Sequence, residues 1–287
     1  MARAERDAPG AAAAGTVRLG DLVVNRMGFG AMRVCGPDVW GPPADRAAAH
    51  RVLRRAVALG VNFIDTADSY GPEVDETLIA EALHPYPKGL VIGTKGGLVR
   101  PTRRAWDCDG RPEHLRRALE GSLARLKLER IDLYQFHAPD PNVPFAESLG
   151  ALSELQRAGK IRHLGVSNVS VHELATARRI APIVSVQNEY NVGDRGSDDV
   201  LAACERHGIA FLPWFPLGAG QCLRRASLKR VAKRRGATPA QVALAWLLAR
   251  SPVMLPIPGT GSIAHLEENV RAAALRLAPE EMAELQR

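Results

Sequence analysis

Along most of the chain, short apolar runs alternate with longer stretches in which apolar residues recur at helical spacing. The runs occupy 27–32, 61–64, 90–92, 131–136, 161–166, 183–186, 209–213 and 253–257. Helical periodicity covers 44–59, 74–83, 112–126, 145–158, 171–180, 197–207, a double segment over 228–250, and 263–273. Ahead of the first unit, 17–19 and 22–24 flank Gly20-Asp21, the spacing of a tight β-hairpin. Strands that alternate with helices build a parallel sheet, because a parallel neighbour needs a crossover long enough to hold a helix. Eight such units in roughly 250 residues predict an α/β fold of the (β/α)8 TIM-barrel type, with the hairpin closing the bottom. An open dinucleotide-binding sheet fits less well, since Gly28-Phe29-Gly30 stops at two glycines where its phosphate-binding turn needs a third.

Composition narrows the function classes. Hydrophobic residues make up 46% and charged residues 24% of 287 positions, which excludes a chain disordered throughout and leaves enough apolar material for a large core. No apolar run approaches the roughly 18 residues of a membrane helix. Residues 1–15 are Ala-rich but carry Arg3, Glu5, Arg6 and Asp7, so they read as a short disordered tail before a single barrel domain over 16–287, in a cytoplasmic protein. Cys35, Cys108, Cys204 and Cys222 form no CxxC pair, and the eight histidines form no HxH or HExxH cluster. Reduced thiols and no metal site are therefore expected, which argues against a metal-dependent barrel hydrolase.

Lys and Arg number 38 against 31 acidic residues, a net +7. The segment 228–250 imitates a basic helix-turn-helix through Lys229, Arg230, Lys233, Arg234 and Arg235. Its second half, 241–248, is largely apolar, whereas a recognition helix must show polar side chains to base edges. A buried barrel helix is the reading, with neither nucleic acid nor membrane as partner.

Barrel enzymes carry their chemistry at the C-terminal ends of strands and in the loops that follow. Asp65 ends the second apolar run with Tyr70 just beyond it, Lys95 ends the third, and His137 ends the fourth. Reduction of a carbonyl by hydride transfer puts negative charge on oxygen, so it needs a proton donor and dipoles aimed at that atom. Tyr70 can donate. A phenol titrates near 10, and an adjacent Lys95 ammonium, kept charged by Asp65, is expected to ease it toward the phenolate. His137 would orient the carbonyl. Singly, each has a structural alternative, a helix cap for the aspartate or packing for the tyrosine.

The segment Asn62-Phe63-Ile64-Asp65-Thr66-Ala67-Asp68-Ser69-Tyr70-Gly71, with Lys95 and His137, resembles the aldo-keto reductase family, whose catalytic Asp, Tyr, Lys and His occur in this order. The resemblance runs on through Gly165-Val166-Ser167-Asn168, Gln187-Asn188-Glu189-Tyr190, Ile257-Pro258-Gly259-Thr260 and Glu268-Asn269. It implies an NADPH-dependent reductase of a small carbonyl substrate, with NADH as the alternative cofactor. Ser167, Asn168 and Gln187 would hold the nicotinamide carboxamide, which needs donors and acceptors together. Trp214 would stack on the ring. Gly30, Ala31, Met32, Phe215, Leu217 and Thr260 would complete the cofactor groove, and Glu268 and Asn269 would hold the adenine. Gly259 and His265 stand where many relatives carry Lys or Arg for the 2′-phosphate, so the preference for NADPH over NADH is open. A lysine introduced at 259 is expected to strengthen it if the turn tolerates a side chain.

For the substrate, Trp40 and Trp106 lie on separate loops and are expected to sandwich a planar ring. Arg100, Arg103 and Arg104 read as a solvated cluster, with an anion site as the alternative. The loop 36–43 is similar to that of bacterial pyridoxal reductases within the family, which suggests a pyridoxal-like aldehyde. A ketoreductase acting on a keto-sugar or aromatic ketone and a non-catalytic NADPH-sensing regulatory subunit are the competing readings. The oligomeric state is not legible, with a monomer as the simplest expectation.

Overall fold

The computed structural model describes residues 10–286. Two strands, β1 (Thr16–Leu19) and β2 (Leu22–Asn25), form the antiparallel hairpin. Then follow β3 (Phe29–Gly30), α1 (Arg46–Ala58), β4 (Phe63–Asp65), α2 (Val74–Leu83), β5 (Val91–Gly96), a small antiparallel pair β6 (Leu98–Val99) and β7 (Asp107–Cys108), and α3 (Pro112–Leu126). The chain continues through β8 (Ile131–Phe136), α4 (Phe145–Arg157), β9 (Ile161–Ser167), α5 (Val171–Ile180), β10 (Ile183–Glu189), α6 (Asp198–His207) and β11 (Ala210–Trp214). It ends with α7 (Ala226–Arg235), α8 (Pro239–Arg250), α9 (Ile263–Arg271) and α10 (Pro279–Gln286).

Seven strands, β3, β4, β5, β8, β9, β10 and β11, pair in parallel in that order. The eighth expected strand, 253–257, is not a regular one. Pro256 and Pro258 have no N–H to give to a ladder, so the segment pairs through single bonds only. Phe211 N donates to Val253 O (2.9 Å), Leu255 N to Phe211 O (2.8 Å) and Gly28 N to Pro256 O (2.9 Å), and these bonds join β11 to the start of β3. The (β/α)8 TIM barrel is thereby closed.

Phe63, Val91, Leu133, Ala210, Leu212, Leu255 and Ile257 fill the barrel interior, and Val17, Leu19 and Val24 of the hairpin belong to the same buried cluster. The hairpin therefore plugs the bottom, and its turn residue Asp21 is paired with Arg162 (2.6 Å) on β9. A second and larger apolar layer lies between the strands and the surrounding helices. In α8, Val242 to Leu247 are all buried, and the basic residues of α7 are largely engaged: Arg230 and Arg234 with Glu284, and Arg235 with Glu281.

Four further sequence expectations change. Of the expected tail, residues 1–9 lie outside the described residues, while Ala11–Ala14 form a 3-10 turn with Ala11 and Ala14 packed in the core. The run 27–32 holds only a two-residue strand before a 3-10 turn at Ala31–Arg33. The stretch 96–111, where the apolar pattern marks no element, contains the β6–β7 pair. Helix α10 was not expected, although Pro279 at its start, followed by Glu280 and Glu281, is a helix-opening signal. The four cysteines are unpaired, and no described helix is long and apolar enough to cross a membrane.

Candidate active site

Side chains two apart on a strand share a face, so the residues that follow the inward-facing core positions also point inward, one layer nearer the mouth. Phe63 leads in this way to Asp65, Val91 through Gly93 to Lys95, Leu133 through Gln135 to His137, and Leu212 to Trp214. The strand register sets Lys95 beside Gln135 and Ser167 beside Gln187. The polar layer at the top of the barrel is thus the continuation of its apolar core.

Lys95 is fully buried, and its ammonium donates to Asp65 Oδ2 (2.7 Å), Thr66 O (2.9 Å) and the Tyr70 hydroxyl (3.4 Å). Asp65 Oδ1 accepts from Gln187 Nε2 (2.8 Å) and Gln135 Nε2 (3.2 Å), so both carboxylate oxygens are satisfied. Burial disfavours the Lys95 ammonium, but Asp65 and then Tyr70 more than offset this and hold the lysine above its ordinary value. For Tyr70 the balance runs against the sequence expectation. Burial pushes the phenol up to about 12, and the neighbouring ammonium, which acts in the opposite sense, does not reverse it. Tyr70 therefore stays protonated at neutral pH.

The His137 ring lies 5.9 Å from the Tyr70 ring at 80°. Burial, with the Lys95 charge second, holds the imidazole well below its ordinary value, so it is neutral. Its buried Nδ1 has no hydrogen-bond partner among the described residues. The main chain of His137 is pinned from both sides: its N–H donates to Gly96 O (3.0 Å) and its carbonyl accepts from Asn168 Nδ2 (3.0 Å).

Asp65, Tyr70 and His137 open on a cleft of ≈ 380 Å³ lined also by Gly30, Met32, Ser167, Asn168, Gln187, Trp214, Phe215, Leu217 and Gly259. Ser167 Oγ donates to Gln187 O (2.7 Å), and Trp214 Nε1 donates to Asn168 Oδ1 (3.0 Å). Asn168 and Phe215 both take left-handed backbone (φ 57° and 48°), which turns the chain sharply at the strand ends. Ala31, Thr260, His265, Glu268 and Asn269 lie outside the cleft lining. Thr260 Oγ1 accepts from Ser262 N (3.0 Å), and Ser262 caps α9 through His265 N. The Glu268 carboxylate accepts from Thr238 Oγ1 (2.5 Å), joining α9 to the start of α8.

Two substrate expectations are corrected. Trp40 does not reach the cleft, whereas Trp106 does, edge-on to Tyr70 at 6.3 Å. What the two indoles flank is the Arg100 guanidinium, 5.4 Å from the Trp40 ring and 3.8 Å from that of Trp106. Arg100 is not solvated but 7% exposed. Sequence reading also missed Gln135, although a polar residue two positions before His137 on a buried strand carries the inward-facing signal, and Arg33, which stands directly after Met32.

Gly259 shows why no cation stands at that position. A Cβ there would lie 2.5 Å from Gly30 O and 3.8 Å from Arg33 Cγ. A lysine at 259 would have to push the backbone opposite away, and the space its side chain would enter is bordered by Arg33, which is exposed and lines the cleft.

The Aldo/keto reductase family matches this chain over residues 26–287. An uncharacterised oxidoreductase of Schizosaccharomyces pombe is 49% identical over 276 residues, covering 96% of this chain and 90% of the relative. Pyridoxine 4-dehydrogenase of Escherichia coli is 46% identical over 277 residues, covering 94% and 96%. Among solved structures, an aldo-keto reductase from Klebsiella pneumoniae in complex with NADPH aligns with a TM-score of 0.80 at 29% identity, covering 94% of this chain and 93% of that one. With the Asp65, Tyr70, Lys95 and His137 geometry in place at the mouth of a closed barrel, these matches establish that the chain belongs to the aldo/keto reductase family and is an oxidoreductase.

Proposed function

We propose that the protein reduces an aldehyde or ketone to the alcohol with NADPH, using Tyr70 as the proton donor. The observation that carries this reading is the hydroxyl of Tyr70, a residue of the cleft wall, held 3.4 Å from a buried, doubly anchored Lys95 ammonium behind it. The residues fit the cofactor. Gln187 uses its amide nitrogen on Asp65 and keeps its side-chain oxygen, Ser167 gives its proton to the main-chain Gln187 O and accepts from Asn168 Nδ2 (3.2 Å), which leaves one lone pair, and both acceptors suit a carboxamide NH2. Trp214 offers an indole fixed by Asn168, and Arg33 offers a cation for a phosphate beside the Gly30–Gly259 contact.

When bound, NADPH would supply the hydride. The neutral Tyr70 phenol donates its proton as charge develops on the carbonyl oxygen. Lys95 then stabilises the phenolate left behind, and it does so with little reorganisation because Asp65 and Thr66 O already fix it. Gln135 and Gln187 fix Asp65 in turn. The neutral His137 ring lines the cleft, and its N–H donates a hydrogen bond that orients the carbonyl.

Met32, Leu98, Trp106, Phe215 and Leu217 give the cleft apolar walls. This supports a flat aromatic carbonyl compound such as a pyridoxal-like aldehyde, whose ring face suits an apolar wall, over a keto-sugar, which carries more hydroxyls and no aromatic face. The relative named pyridoxine 4-dehydrogenase agrees with that choice.

The test is Tyr70→Phe. Consumption of NADPH at 340 nm with pyridoxal, pyridine-4-carbaldehyde and butanal should fall by roughly 10²–10⁴-fold, while NADPH affinity, read by quenching of indole fluorescence, stays within twofold. A variant that keeps most of its kcat would assign the proton to another group.

A further inference from the structure

We propose that Arg100 is a specificity-determining positioning residue: it clasps the loops 36–43 and 97–108 and presents Trp106 as the wall of the substrate cleft, giving a preference for flat aromatic carbonyl compounds. The proposal rests on the carbonyl-reductase reading above and adds to it a residue that touches no reacting atom.

Arg100 spends its donors on main-chain carbonyls from both loops. Nε donates to Ala105 O (2.9 Å), Nη1 to Val39 O (2.9 Å), and Nη2 to Asp38 O (3.2 Å) and Arg103 O (2.5 Å). It forms no ion pair among the described residues. The one carboxylate on the facing loop, Asp38, is paired with Arg103 (2.9 Å). A buried guanidinium with four of its five N–H groups on carbonyls, an indole on either side and no place in the cleft lining is a fastener between loops rather than the reader of a phosphate or carboxylate on a substrate.

The loops need fastening. Asp38 and Val39 both have positive φ (59° and 57°), costly for any residue with a Cβ and most of all for a β-branched valine. Such backbone persists only where its surroundings over-determine it, and both carbonyls accept from Arg100. Val39 packs in a cluster with Cys35, Ala67 and Tyr70. On the other loop Trp106 is 41% exposed, too much to be held by burial, and its neighbours are the guanidinium at 3.8 Å and the edge of Tyr70. One side chain thus holds a residue packed on Tyr70 from one loop and the indole facing it from the other.

The experiment compares wild type with Arg100→Met, Arg100→Lys, Trp106→Ala and the Arg100→Met/Trp106→Ala double variant. The readouts are kcat/KM for pyridine-4-carbaldehyde and for butanal, NADPH affinity, and amide hydrogen exchange. In Arg100→Met the preference for the aromatic aldehyde should drop roughly tenfold, mainly through KM, to the level of Trp106→Ala. The double variant should be no worse than Trp106→Ala, because the two residues act through one wall. Exchange should rise at least tenfold across 36–41 and 98–108 and stay unchanged in the barrel strands, with NADPH affinity within twofold. Arg100→Lys, which keeps the charge but not the fork, should fall between. Additive losses, an equal loss with both aldehydes, or unchanged exchange in the two loops would overturn the proposal. Exchange needs no turnover, so a wild type that binds NADPH and reduces neither aldehyde would sink the carbonyl-reductase reading, while the loops would still report whether Arg100 fastens them.

Discussion

Alanine in place of Gly259 should loosen the mouth of the barrel, and the reason is contact rather than conformation. Gly259 is not among the glycines with positive φ, so its backbone suits any residue. The obstacle is the 2.5 Å between an added Cβ and Gly30 O, where ordinary contact begins near 3.4 Å. The two main chains have to part by nearly an ångström. Neither can swing aside as a side chain would, and the bond from Gly28 N to Pro256 O, two residues before Gly30 and three before Gly259, holds the same pair of segments together. Overpacking of this kind costs about 1–3 kcal/mol, and at roughly 2–4 °C per kcal/mol the melting temperature should fall by about 2–12 °C. NADPH should bind more weakly, and Gly259→Lys should not raise NADPH over NADH affinity relative to Gly259→Ala. Thermal unfolding followed by circular dichroism measures the first effect. The control is Gly150→Ala in α4, where an added Cβ meets nothing within 4 Å. That change should stabilise by roughly 0.5–1 kcal/mol, since a helical glycine carries a larger entropy loss than alanine. A Gly259→Ala protein that melts no lower than wild type, or a Gly150→Ala protein that falls with it, would refute the argument.

Because His137 is held neutral by burial and by Lys95, and Tyr70 is pushed up to about 12, kcat/KM for reduction should show no inflection near pH 6.5 and stay flat to about pH 9; a wild-type inflection near 6.5 that vanishes in His137→Gln would contradict this. The sign for stability is the opposite of a salt-bridged histidine: the depressed His137 contributes fully above 6.5 and its contribution is lost as pH falls through the folded value. Arg33→Gln should weaken NADPH binding roughly tenfold or more; calorimetric titration with NADH assigns the contact to the 2′-phosphate if only NADPH suffers and to the diphosphate if both do, and an unchanged NADPH affinity removes Arg33 from the site. Burial holds the Asp75 carboxyl well above the usual carboxylate range, with Thr66 Oγ1 donating to one oxygen (2.7 Å) and the other unpartnered. Its contribution is therefore present below the unfolded value and lost as pH rises, so Asp75→Asn should gain melting temperature on wild type between about pH 5 and pH 9, and a pH-independent gap would argue against a neutral Asp75.

What the sequence made legible, and what it hid, follows one division. A period of two along a strand is a local property, so the positions of Asp65, Lys95 and His137 at the ends of inward-facing series could be read directly from the chain, and Gln135 could have been read by the same rule. The alternation of runs and helical stretches is equally local and gave the barrel. The eighth strand is legible at 253–257 from its apolarity, but its irregularity lies in the missing N–H donor of Pro256, which an apolar pattern does not register. The electrostatic expectation for Tyr70 took the right neighbour and the wrong balance. The Lys95 charge is next to the phenol, yet desolvation, which only the closed structure reveals, is larger.

Arg100 and Gly259 mark the other side of that division. In the sequence Arg100 shares a loop with Arg103 and Arg104, and nothing local separates it from them. Its burial depends on the carbonyls of Asp38 and Val39, some sixty residues away, and on two indoles arriving from different loops. Gly259 looked like a departure that weakened the hold on a phosphate. In the fold it is required by the approach of Gly30, and the same approach brings Arg33 to the rim of the cleft. A missing cation at one position and an unexplained arginine at another are then two sides of a single packing constraint, the distance between the backbones that close the barrel.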